Sequence, residues 1–149
     1  MALMGVAKFE RFFRQAGGLD VDKDDLKRYS DFVNHTTYRM VLVAQAAARA
    51  NGRGIIEPFD LPVTAGLQEC THRFKTMDEE VELKPILEHL AAQPQLDLLY
   101  SDDFEARLPE VAGGVSVALA QAFKIIDPKL HHPSSEHWER AFQLFRLLV

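Results

Sequence analysis

Between Asp25 and Ala50 the chain runs for 26 residues without a glycine or a proline. Leu26, Tyr29, Val33, Thr36/Thr37, Met40, Ala44 and Ala47/Ala48 recur at the i, i+3/i+4, i+7 spacing of one helical face. Asp22, Asp24 and Asp25 supply caps and first-turn acids where the helix dipole favours them. Asn51-Gly52 closes the stretch with residues that tolerate left-handed backbone. Such a helix would be about 39 Å long at 1.5 Å per residue. In a chain of 149 residues its apolar stripe must be buried by short helices on either side or by a second long helix.

The flanking sequence supplies both. Lys8–Gln15 reads as a short helix with Phe9, Phe12, Phe13 and Ala16 on one side, ended by Gly17-Gly18. After the long helix, Ile55-Ile56 suits a brief extended segment. Asp60 is read as an N-cap and Pro62 as first turn of a helix carrying Leu61, Ala65, Leu67 and Phe74 to about Lys75. The acidic stretch 76–82 reads as a hinge. The order then returns: Pro85–Ala92 as a short helix, Gln93–Ser101 as a connection, and a long apolar stretch to Ile126 with Val111, Val115, Leu119, Ala122 and Phe123 in its stripe. Asp102 with Glu105 resembles a capping box. Pro109 predicts either a kink or a start near Leu108, and Gly113-Gly114 weakens the helix further. Asp127-Pro128 stops it. Ser134 or Ser135 caps a final amphipathic helix, Glu136–Val149. Short, long, short occurs twice, so the expectation is an all-α chain, compact over 1–149, with units at 8–75 and 83–149.

This order resembles the histone fold, and the first half resembles an archaeal histone. Ala16-Gly17, Val21, Gly52-Arg53 and Asp60 fall at that family's spacing. The whole chain resembles the small bacterial and archaeal proteins with two fused histone folds. That likeness implies tandem units paired as an intramolecular pseudodimer, with antiparallel central helices. It also implies a structural ion pair between Arg53 and Asp60. Lys129 and Glu136 have the same separation in the second half, though their surroundings do not match. The family's phosphate-contacting residues do not carry over. Asp20 stands where an arginine precedes the loop valine, and Arg53-Gly54-Ile55 stands in place of Arg-Lys-Thr.

Charge points the same way. The chain carries −5 overall, with +2 in residues 1–75 and −7 in 76–149. Only the first half could attract phosphate, with Arg11, Arg14, Lys27, Arg28 and Arg49 as candidate contacts and Arg39 and Arg53 among its further basic residues. DNA is therefore the alternative partner. The preferred reading is a protein partner or self-association through the last helix, where Trp138, Phe142, Phe145 and Leu148 cover more than one face.

Chemical motifs are sparse. Asp20-Val21-Asp22-Lys23-Asp24 begins like a calcium loop, but Asp25 stands where the sharp turn needs glycine and Asp31 where the loop needs glutamate. Cys70, His72, His131, His132 and His137 lack zinc-site spacing, and no nucleophile elbow or phosphate-binding glycine loop occurs. The expectation is no enzyme, no catalytic residue, no metal and no cofactor. A single cysteine suits the reducing cytoplasm. Met1–Val6 is too short for a signal peptide, and no apolar run approaches membrane-spanning length.

Overall fold

The computed structural model describes residues 5–77 and 96–149. Five α-helices lie among them: α1 Val6–Gly17, α2 Lys23–Ala50, α3 Ala65–Thr76, α4 Asp102–Ile126 and α5 Ser135–Leu148. Two short strands, β1 Ile55–Ile56 and β2 Leu99–Tyr100, complete the order. The short helix expected over 85–92 and most of the 76–82 hinge lie outside the described residues.

Local chemistry sets each boundary. Gly18 ends α1 in left-handed backbone at φ 63°, returning its N–H to Arg14. Asp22 caps α2 in a full box: its carboxylate accepts from Asp24 and Asp25 N–H, while the Asp25 carboxylate accepts from Asp22 N–H. Three expectations need correction. Thr64, not Asp60, caps α3, which begins at Ala65 beyond Pro62. Asp60 instead sits in a 3₁₀ turn, where its carboxylate accepts from Glu57 N–H. Ser101, not Asp102, caps α4 by accepting from Phe104 N–H. A hydroxyl in extended backbone makes a good cap, and Asp102 and Asp103 then fall in the first turn, where the dipole favours them.

The helix α4 also runs through Pro109 and does not begin near Leu108. Its interior is buried on nearly every side from Leu108 to Leu119. The glycine pair explains how. A Cβ on Gly113 would lie 2.3 Å from the Phe74 ring, and one on Gly114 would lie 2.2 Å from Thr71 Oγ1. The two glycines let α3 of the first half lie directly on α4 of the second.

The halves meet again at both ends of the long helices. Past the end of α2, β1 pairs in parallel with β2, Ile55 opposite Leu99 and Ile56 opposite Tyr100. Before its start, Asp20 N–H donates to His131 O at 2.6 Å, and His131 follows α4. The start of α2 therefore lies by the end of α4 and its end by the start of α4, so the two run antiparallel. Between them Tyr29 and Ser116 hydroxyls meet at 2.8 Å in the core. Ser116 uses its proton on Ala112 O, which leaves Tyr29 as donor to Ser116. Rings from four helices close the centre: Phe9, Phe13, Tyr29, Phe123 and Trp138 form a chain of contacts 4.8–6.2 Å between centroids.

Candidate functional site

The loop after α2 is built around Arg53. Its guanidinium donates two bonds to the Asp60 carboxylate, at 2.7 and 2.5 Å, and lies 4.8 Å from the Phe59 ring centroid. The Asp60 side chain is only 3% exposed. The Arg53 hydrogen bond and the Glu57 N–H hold the Asp60 carboxyl below its ordinary range, against the opposing effect of burial. Asp60 in turn raises Arg53, so the pair stays ionised.

The cations nominated for phosphate are largely engaged within the chain. Arg14 faces Asp20 at 3.8 Å. Arg28 donates to Ser135 Oγ and lies 3.6 Å from Asp25. Arg49 donates to Asp97 at 2.9 Å, and Arg39 to Arg146 O. Lys27 and Arg11 are exposed on different helices. The seam around β1 and β2 presents apolar side chains to solvent instead: Ile55, Phe59, Leu99 and Tyr100. Glu136 pairs with Arg140, so the Lys129/Glu136 spacing does not reproduce the first half's ion pair.

At the opposite seam Asp22, Asp25 and His132 bring ligand-type atoms within 4.8 Å of one another. Sequence reading misses this combination because His132 lies more than a hundred residues from the two aspartates. Their atoms already have structural work. Asp22 caps α2, and His132 Nδ1 lies 2.8 Å from Asp20 O. Asp25 accepts from Trp138 Nε1 at 2.9 Å as well as from Asp22 N–H. Burial pushes the Asp25 carboxyl up, partly offset by the Asp22 and Trp138 hydrogen bonds. His137 Nδ1 accepts from Ser134 N–H, closing the box at the start of α5.

Trp138 therefore leaves the candidate partner surface. It is 1% exposed because its ring packs on Phe123 and its N–H needs the buried Asp25. Phe142 and Phe145 are half-buried against Phe32, at 5.0 and 4.9 Å between centroids. Leu148 is 78% exposed, and the residues that accompany it at the surface are Ile125, Leu144 and Leu147. Ile125, Leu144 and Leu148, but not Leu147, border a groove of about 770 Å³ between α3, α4 and α5, floored by Leu67, Val115 and Ala122. A more polar cleft of about 760 Å³ lies between the β1 loop, α3 and α4, with His72, Lys75 and Arg107 among its walls. Lys75 and Arg107 both reach Glu110 there.

Residues 9–146 match the family described as a domain of unknown function, DUF1931. The chain belongs to this family. Its fold is shared with a solved protein from Thermus thermophilus, 52% identical over 99% of both chains at a TM-score of 0.93. It is also similar to protein AQ328 of Aquifex aeolicus, 22% identical over 96% of this chain and 94% of that one, with a TM-score of 0.81. The histone from Methanopyrus kandleri is 16% identical over 91% of this chain and 90% of its own, at a TM-score of 0.60. That likeness gives this DUF1931 chain a histone-like fold. A curated Aquifex aeolicus sequence, described as uncharacterised, is 28% identical over 146 residues, covering 88% of this chain and 85% of its own. Among the described residues no helix is long and apolar enough to cross a membrane.

Proposed function

We propose that this DUF1931 chain is a non-enzymatic, cytoplasmic histone-fold protein that works through protein contacts. In this reading the two halves are histone-like units paired within one polypeptide, which keeps each unit's partner at high effective concentration. The observation that carries the functional reading is the seam around β1 and β2. The resemblance to histones puts that seam against phosphate, yet here it presents Ile55, Phe59, Leu99 and Tyr100. The neighbouring arginines, Arg49 and Arg53, already face Asp97 and Asp60. An apolar, carboxylate-paired seam releases few counterions on meeting a duplex. The open apolar surface at the end of α5 is the contact face.

The rival is an architectural DNA-binding protein using Arg11, Arg14, Lys27, Arg28 and Arg49. Titrating a fluorescent duplex with the chain at about 20 mM and about 150 mM salt separates the two. The proposal expects no binding, or weak binding with a salt slope of only about −2 to −3. Sub-micromolar affinity that persists at the higher salt, and is lost when Arg11, Arg14 and Lys27 are replaced by alanine, would overturn it.

A further inference from the structure

Between α2 and α5 lies a recess of about 270 Å³ on which the protein-contact reading makes no demand. Its walls are aromatic. The Phe32 and Phe142 rings stack at 5.0 Å between centroids, and Phe145 meets Phe32 edge-on at 4.9 Å. Thr36 and Arg39 also line it, three residues apart and so on one side of α2. Thr36 is only 5% exposed, yet its hydroxyl has no hydrogen-bond partner among the described residues. A helical threonine commonly returns its hydroxyl to the carbonyl one turn back, as Thr71 does to Leu67 O. Arg39 is half-buried. It spends one N–H on Arg146 O at 3.3 Å and pairs with no carboxylate among the described residues.

We propose that this recess binds a small aromatic carboxylic acid, its ring against the phenylalanines and its carboxylate between the Thr36 hydroxyl and the Arg39 guanidinium. Both groups are unspent donors in a largely apolar hollow, and a carboxylate accepts from each. Arg146 at the rim adds a second positive charge, shared with Glu139 at 3.8 Å. The acidic residue of the rim, Asp31, lies about 12 Å before Arg39 along the helix, with the exposed His35 between them. The charge that selects an acid is therefore gathered at one end. Size limits the rest of the ligand. An apolar cavity of about 150 Å³ holds benzene, and drug-sized ligands fill pockets above about 300 Å³. A recess of about 270 Å³ suits one ring with a short acidic arm, and is too small for a partner's helix.

Titration of the isotope-labelled full chain by heteronuclear NMR tests this, with benzoate as the probe and benzyl alcohol as its uncharged counterpart. Benzoate is expected to give saturable shifts at Phe32, Thr36, Arg39 and Phe145 in the millimolar range or below. Benzyl alcohol should bind about tenfold more weakly, because it lacks the charge-assisted bonds. Arg39→Gln should bring benzoate down to the level of benzyl alcohol and leave benzyl alcohol unchanged. Thr36→Val should also weaken benzoate, and Thr36→Ser, which keeps the hydroxyl, should retain it. Circular dichroism and melting temperature confirm that each variant is folded. The absence of saturable benzoate shifts at the recess in the wild-type chain overturns the proposal. Equal affinity for the two probes, or benzoate binding unchanged in Arg39→Gln, overturns it as well.

Discussion

The two long helices both carry a polar N-cap and bury residues along their length, but they differ in the quality of their local sequence. Helix α2 has the better helical sequence, with no glycine or proline from Lys23 to Ala50. Polar chemistry fixes its ends: the Asp22/Asp25 box before it and the Arg53–Asp60 pair after it. Helix α4 has the poorer sequence, with Pro109 and Gly113-Gly114 in its interior, and is held along its length by packing. Intrinsic propensity differs by about 1 kcal/mol for glycine and about 3 for proline, so on local grounds α4 should be the weaker helix. Closeness of approach offsets that weakness. The missing Cβ atoms admit Phe74 and Thr71 of α3, and the contact they allow buries apolar surface on both helices.

The largest test of this contrast replaces those glycines. In an exposed helix Gly→Ala stabilises by about 1 kcal/mol. At Gly114 the added methyl meets the Thr71 hydroxyl and also Thr71 backbone atoms at 3.0 Å, which cannot rotate away. Gly114→Ala is expected to destabilise by about 3 kcal/mol, at the upper end for overpacking. Gly113→Ala, facing the Phe74 ring, should cost somewhat less. Urea unfolding measures both, and a stabilised Gly114→Ala chain would break the comparison.

A smaller effect is expected at the end of α2. Arg53→Ala leaves the buried Asp60 carboxylate without its guanidinium and should lower the melting temperature by about 3–8 °C. Asp60 has a lowered folded-state pKa. The stability the pair contributes is therefore present above the ordinary carboxylate pKa and lost as pH falls through the lowered one. The gap between wild-type and Arg53→Ala melting temperatures should stay constant from neutral pH to about pH 5 and close below about pH 4. The cost of Gly114→Ala, being steric, should not follow pH in that way. A gap that widens on acidification would show that the pair is not what fixes this loop.

The same contrast explains what is legible in the sequence. Helix periodicity, the terminating glycines, the extended Ile55-Ile56 and the seven-residue spacing of Arg53 and Asp60 are local signals, and each marks a feature found in the structure. Tertiary partners decide the rest. Gly113-Gly114 reads locally as weakness because its compensation lies on α3. Trp138 reads as surplus surface until Asp25, more than a hundred residues away, is seen to accept its N–H. Of the four α5 residues named from sequence, Trp138 is buried, Phe142 and Phe145 are half-buried and Leu148 is exposed. Helical periodicity alone does not tell which side of α5 meets Phe32 and which side, with Leu147, meets solvent.

Native-state hydrogen exchange tests most directly whether packing outranks propensity here. If α4 is held by α3 through its glycines, the amides from Ala112 to Leu119 should open only on global unfolding. Their opening free energies should then match those of Val33–Ala44 in α2 and follow the global value as urea is added. Exchange of Ala112–Leu119 through a local, urea-independent opening, well ahead of α2, would contradict the account.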